Sequence, residues 1–338
     1  MPPLPRPSSL RTLRRATASL IGLAATLALY WPPRAALATD GPTANARDFG
    51  SIQQAVESLP PTGGTVVLPA GVYDVHQKIR LPSHVELRGE GMDRTILVLA
   101  DGVRDTLISN ANLIGGNTDI TLRDLRLQGN RLGQRQWRYD GRLAVGSSSI
   151  RSEVWSFGVR FNNVTDSLIM NVEADDFAKD GFYLGYNKYY GVYRTRLIDC
   201  RARDNARNGI ALTHGSFNLI QGCDVRDNNR VERVGGIQLE PDEGLEVSHN
   251  LVRDNHVSGN HAGIALYTEP PHWQGISTLV ANAICHNTAE RNDFIGIWDH
   301  YGQGNVFVDN KATGSASNFN PTETSRVGED FAAACRQE

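Results

Sequence analysis

Three acidic residues stand at two proline turns, Glu240-Pro241-Asp242 and Glu269-Pro270. If the chain stacks these turns one above the other, the carboxylates repel, which raises one pKa and leaves the other ionised. That split into acid and base is what glycosidic hydrolysis uses. Glu240, Asp242 and Glu269 are therefore the first catalytic candidates. Arg207 anchors a second group, with Lys179 earlier in the chain. A guanidinium grips a carboxylate through two parallel hydrogen bonds. Beside a uronic acid, it would stabilise the charge that builds when the neighbouring C–H is deprotonated. Tyr183, His214 or Tyr267 would then be the base. β-Elimination of a uronate chain and C5-epimerisation both begin with that step. A third group is a basic and aromatic stretch between Asn130 and Trp155, in which Arg135, Trp137 and Arg138 are candidates for holding a sugar. Tyr186 to Tyr193 adds a second aromatic segment.

These residues acquire geometry from an internal repeat. Gly181-Phe-Tyr-Leu, Gly209-Ile-Ala-Leu, Gly236-Ile-Gln-Leu, Gly263-Ile-Ala-Leu and Gly296-Ile-Trp-Asp recur at spacings of 28, 27, 27 and 33 residues. Gly158-Val-Arg-Phe is a weaker copy ahead of them. A second series, Asp204-Asn205, Asp227-Asn228, Asp254-Asn255 and His286-Asn287, is phased with the first, and Cys200, Cys223, Asn250 and Asn282 precede it by five residues. Short alternating β-branched runs are separated by Asn, Asp and Gly turns, and helical periodicity is missing. One coil of three short strands and three turns consumes such a repeat. Stacked coils at the strand spacing of ~4.8 Å put aliphatics inside and asparagines in ladders at the turns. The expectation is a single-domain, all-β right-handed parallel β-helix.

Strand alternation sends the first and third residues after each glycine inward and the second and fourth outward. The outward second positions are Tyr183, Ala211, Gln238, Ala265 and Trp298; the fourth are Gly185, Thr213, Glu240, Tyr267 and His300. Small residues beside large aromatics make a shelf for sugars, with Lys179, Tyr183, Gln238, Trp298 and His300 as contacts. Asp299 interrupts the inward apolar series, so the last coil should be distorted. Ser51 is the expected N-cap of a short amphipathic helix over Ser51 to Leu59, which would cap the core. The pattern fades after Asn310. The expected division is a signal peptide over 1–38, the β-helix over 39–310 and a C-terminal tail or cap over 311–338.

The stretch Asp48-Phe-Gly-Ser-Ile-Gln-Gln-Ala-Val56, followed by Gly63-Gly-Thr-Val-Val-Leu-Pro-Ala-Gly-Val-Tyr73, resembles the opening of the pectate-lyase-like β-helix superfamily. Asp180-Gly-Phe182 and Asp204-Asn-Ala-Arg-Asn-Gly209 resemble the catalytic module of mannuronan C5-epimerases. By that resemblance Arg207 stands where the family has an arginine. The neighbouring catalytic histidine is here Asn208, and the family's Asp-Pro-His-Asp signature is replaced by Gly158-Val-Arg-Phe-Asn162. Its later lysine falls near Glu240-Pro241. These departures argue against plain alginate epimerisation.

Arg11, Arg14 and Arg15 precede an apolar run from Ala16 to Tyr30, and Ala36-Leu37-Ala38 offers a cleavage site, the order of a secretory signal. Export to the periplasm or beyond is expected. Loss of 1–38 removes five arginines and no acids, moving the formal charge from −3 to −8. A net acidic chain is a poor partner for nucleic acid. After signal removal no stable membrane insertion is expected, and the protein should be a monomer. Four cysteines suit an oxidising compartment without forming a dense framework; Cys200 and Cys223 read as stacked buried thiols, with a disulfide between them as the alternative. His249, His256 and His261 match no standard zinc spacing. Calcium is the one cofactor on offer, through the acid cluster. The expected function is cleavage of an acidic polysaccharide by β-elimination or hydrolysis, with epimerisation and non-catalytic glycan binding as alternatives.

Overall fold

The computed structural model describes residues 41–134, 156–186, 190–228, 235–241, 245–268 and 278–321, the backbone of 138–139, 142–143 and 326–327, and Cys335. The expected signal segment therefore lies outside the described residues. The Gly-apolar-x-apolar units become strands of one nine-strand parallel sheet that runs from Ile79–Leu81 to Ser317–Asn320. Phe182, Ile210, Ile237, Ile264 and Ile297 align in register, as do Leu184, Leu212, Leu239, Leu266 and Asp299. The apolar members of both lines are buried in one continuous core. Burying each such side chain favours the stack by about 1.5–3 kcal/mol. Asp299 does not distort its coil: the strand register holds, and the buried carboxylate accepts from Asn305 Nδ2 at 3.3 Å.

A six-strand sheet and an 18-strand sheet complete the walls. A coil holds four strand pieces rather than the expected three, as in Ile210–Leu212, Gly215–Ser216, Leu219–Gln221 and Asp224–Arg226. The additional corner follows from the left-handed backbone at Asp199, Gly222, Asp254, His286 and Asp309, with φ between 49° and 66°. Asp and Gly tolerate that conformation, which is why they punctuate the wall.

Asparagine ladders bind the coils together at the corners. Asn205 N–H donates to Asn228 Oδ1 at 3.2 Å, Asn228 to Asn260 at 3.0 Å, and Asn260 to Asn292 at 3.1 Å. A second ladder joins Asn218, Asn250, Asn282 and Asn305. A third joins Asn255, Asn287 and Asn310, and Cys223 N–H donates into it at Asn255. The expected alignment of Asn255 with Asn228 is thus corrected: Asn255 stacks on Cys223. Two corners five residues apart both carry Asn, so a slip by five matches asparagine to asparagine. The repeat glycine is tied to the same feature. A Cβ at Gly209 would lie 2.9 Å from Asn228 Nδ2, and one at Gly236 would lie 2.6 Å from Asn260 Nδ2. Only glycine lets the ladder amide sit against the strand.

At the start, helix α1, Ile52–Glu57, buries Ile52, Ala55 and Val56 over the core, with Ser51 Oγ accepting from Gln54 N–H at 3.2 Å. At the other end the stack runs past Asn310. Lys311–Thr313, Ser317–Asn320 and Arg326–Val327 add to existing sheets, so the expected end of the β-helix is moved beyond that residue.

Cys285 and Cys335 form a disulfide, whereas Cys200 and Cys223 are buried free thiols. Contact with Cys200 and burial both push the Cys223 thiol pKa up, which keeps it neutral. The disulfide spans 50 residues, and closing a loop of that size is worth about 4 kcal/mol by chain entropy. Reduction should therefore lower the thermal midpoint. Cys335→Ser should reproduce the fall and abolish any further response to reductant, measured by circular dichroism.

Candidate functional site

The nine-strand sheet turns a second line of residues away from the core: Arg160, Tyr183, Ala211, Gln238, Ala265 and Trp298, aligned strand by strand. The expected continuous shelf is corrected here. Tyr183, Ala211, Gln238 and Ala265 are all buried, while Arg160 and Trp298 are partly exposed. Two accessible stretches result, and five strand steps of ~4.8 Å separate them by about 24 Å.

The first stretch is charged and aromatic. Phe157 and Tyr183 pack with centroids 4.7 Å apart. The Arg160 guanidinium lies 4.5 Å from the Tyr186 ring centroid and 5.9 Å from that of Phe157. Two coils on from Arg160, Arg207 donates through Nε to Asp180 Oδ1 at 2.8 Å and through Nη2 to Asp180 Oδ2 at 2.6 Å. Asn208 N–H donates to the same carboxylate at 2.8 Å, and the guanidinium sits 5.5 Å from the Tyr183 centroid. Asp180 is fully buried and Arg207 is 19% exposed. Burial alone would lower the Arg207 pKa, but the Asp180 charge and hydrogen bonds outweigh it and hold the guanidinium charged. The expected grip on a substrate carboxylate is thus already taken up by an internal one. Lys179 does share a column with Arg207, whose N–H donates to Lys179 O at 3.2 Å, but Lys179 is only 5% exposed.

Glu240 caps the next strand and adds to the field that keeps Arg207 protonated. It begins a line one position beyond the paired Leu239 and Leu266, in which Tyr267 and His300 follow. This line enters the second stretch. Tyr267 and His300 stack at 5.1 Å and 8°, and Trp298 lies 5.3 Å from Tyr267 and 4.8 Å from His300. Phe294, Tyr301 and His261 extend the group, with Phe294 stacked on His261 at 5.3 Å. Phe294 and Tyr301 are 43% and 53% exposed, so this end is an open floor of rings. His300 donates its Nδ1 proton to Thr268 O at 3.1 Å if neutral, which leaves Nε2 as an acceptor.

Other expected site residues are dispersed. His214 sits at the corner after Ile210–Leu212, its Nε2 3.4 Å from Tyr193 Oη. Gln238 is buried, and its Oε1 accepts from Gly235 N–H at 2.8 Å. Asp242, Glu269, Arg135 and Trp137 lie outside the described residues; only the backbone of Arg138 is described, in an antiparallel pair with Leu143. Among the described residues no three His, Cys, Asp or Glu side chains come together to hold a metal ion, so the calcium expectation rests on acids outside that set. Arg160, Phe294 and Tyr301 were not singled out by sequence. Arg160 was legible as the second-position residue of the weak repeat copy, had the outward line been extended one coil back.

The family profile for the right-handed β-helix region matches residues 108–240 and 148–312, together more than half of the chain. The chain belongs to the right-handed β-helix family. A second profile, rhamnogalacturonase A/epimerase, pectate lyase-like, matches residues 42–136, the opening of the β-helix. The pre-neck appendage protein of Bacillus phage B103 is 27% identical over 221 residues, covering 62% of this chain and 24% of that protein. The chain thus spans about a quarter of the length of the curated relatives it matches. Two solved β-helices share the fold. The N-terminal fragment of bacteriophage phi29 gene product 12 superposes with a TM-score of 0.56 at 15% identity, covering 84% of this chain and 57% of that one. The pectin methylesterase of Erwinia chrysanthemi gives 0.50 at 12% identity, covering 89% and 93%. Among the described residues no helix is long and apolar enough to cross a membrane.

Proposed function

We propose that the nine-strand sidewall takes an acidic polysaccharide and hydrolyses its backbone at Glu240. One observation carries the reading: Glu240 directly follows Leu239, whose register partner Leu266 directly precedes Tyr267, and Tyr267 pairs and stacks with His300, so the carboxylate leaves its strand beside an open aromatic floor. Aromatic faces accept the apolar face of a sugar while its hydroxyls stay in water. Hydrolysis needs a second carboxylate, either to activate water or to attack the sugar. Asp242 on the same turn and Glu269 on the next coil are the candidates. Elimination fits less well, because Arg207 spends its side-on edge on Asp180. Export, supported by the basic and apolar leader before Ala38, would bring the protein to such polymers.

Non-catalytic binding is a second reading, favoured by Asn208. An amide stands where the epimerase resemblance has a catalytic histidine, and both its buried side-chain polar atoms lack a hydrogen-bond partner among the described residues.

The two readings separate when new reducing ends and unsaturated-uronate absorbance are followed together on a panel of acidic polysaccharides, with and without calcium. The proposal expects reducing ends without an absorbance rise. An absorbance rise lost in Arg207→Ala would establish elimination instead, and retention on the polysaccharide without either signal would establish binding. Trp298→Ala should raise the Kd for oligosaccharides by roughly 10-fold or more, the order expected for one lost stacked ring. Calorimetry checks this; an unchanged Kd would remove the aromatic floor from the account.

A further inference from the structure

We propose that Arg160 is the receptor for a uronic acid carboxylate, held on a platform of two rings. The inference deepens the reading of the sidewall as a polysaccharide surface and rests on it for the polymer. Three other arginines of the stack show what Arg160 lacks. Arg207 grips Asp180, Arg126 grips Asp175 and Arg194 grips Asp166, each through Nε and Nη2 onto the two carboxylate oxygens at 2.6–2.8 Å. Arg160 carries the same guanidinium, yet among the described residues no hydrogen bond or ion pair reaches it. Its Nε is buried without an acceptor. Leaving a buried donor unpaired is costly, and more so for a charged group.

The rings explain how the group is held without a carboxylate. The guanidinium lies over Tyr186 and within reach of Phe157, so cation–π attraction fixes its position while the side chain stays only partly buried. Phe157 is itself packed against Tyr183, which stands directly beside Arg160 in the sheet register. The guanidinium is therefore held in place, and a flat two-oxygen anion that displaces the cover over Nε would satisfy it. A uronate presents that anion directly on a pyranose ring. A sulfate ester presents similar oxygens, so the test must tell the two apart.

The experiment follows the Arg160 Nε–H resonance of the ¹⁵N-labelled full chain, assigned by its disappearance in Arg160→Lys. Sodium glucuronate, its neutral methyl ester and inorganic sulfate are the probes. The proposal expects a saturable shift with glucuronate and none with the ester. In parallel, Arg160→Lys should fold with an unchanged thermal midpoint and bind uronate oligosaccharides roughly 10- to 100-fold more weakly, the loss expected for a hydrogen bond to a charged group. Binding of carboxyl-reduced oligosaccharides should not change. A silent Nε–H with glucuronate, a shift with sulfate alone, or equal loss for carboxylated and reduced chains would each overturn the assignment. Failure of wild-type protein to bind any oligosaccharide would instead sink the sidewall reading, while the Nε–H response to glucuronate would still decide Arg160.

Discussion

Glu240→Gln should lower kcat on an acidic polysaccharide by about 10²- to 10⁴-fold, the range general acid–base catalysis supplies, while leaving KM nearly unchanged. The substitution keeps shape and hydrogen-bonding capacity and removes only the proton chemistry. Glu240 adds to the field that keeps Arg207 charged. Its line continues into Tyr267 and His300, so a bound sugar at the aromatic floor would extend past the carboxylate. Parallel variants Asp242→Asn and Glu269→Gln identify the second carboxylate: the one that falls with Glu240→Gln is the partner. A Glu240→Gln enzyme with wild-type turnover would remove Glu240 from the chemistry.

Asp180→Ala should cost about 3–5 kcal/mol of stability, because it strands the Arg207 guanidinium without its counter-charge in a largely buried setting. Asp180 also accepts from the Asn208 N–H, so the same change leaves a backbone donor unpaired. The double variant Asp180→Ala/Arg207→Met should recover much of the loss, since an apolar replacement of a buried pair is often near neutral. Urea midpoints of the single and double variants check this. A midpoint for Asp180→Ala equal to wild type would contradict the buried-pair description and return Arg207 to the substrate. Activity adds a second readout: if Arg207 only supports the wall, the double variant keeps turnover when it keeps its fold.

The fold was legible because its repeat is written in residues with few alternatives. Glycine is required where the ladder amide meets the strand, and Asp or Gly suits the left-handed corners. The core line from Phe182 to Ile297 could be read from the same motif. What misled was degeneracy. Asn255 and Asn228 look equivalent in sequence, yet they belong to corners five residues apart. The end of the stack is hard to read because Lys311–Thr313 and Ser317–Asn320 are largely exposed and carry little apolar pattern, while still pairing in register.

The site was less legible for a different reason. Alternation says which residues leave the core, but not what meets them outside it. Gln238 points outward and is buried. Arg207 reads from sequence as a carboxylate binder, but Asp180, one coil earlier, occupies it. Arg160 is an ordinary outward residue of the weakest repeat copy, and only the packed wall shows that its Nε has no hydrogen-bond partner among the described residues. Tyr267, Trp298 and His300 do lie together, because aromatics at outward positions of neighbouring coils meet one another.

The most direct test of the central claim is the mass of the products released from a defined uronate oligosaccharide by the wild-type protein. Hydrolysis predicts two saturated fragments whose masses together exceed that of the substrate by one water, with neither formed by Glu240→Gln. A pair that includes an unsaturated fragment and sums to the substrate mass, or an oligosaccharide bound but returned intact, would contradict it.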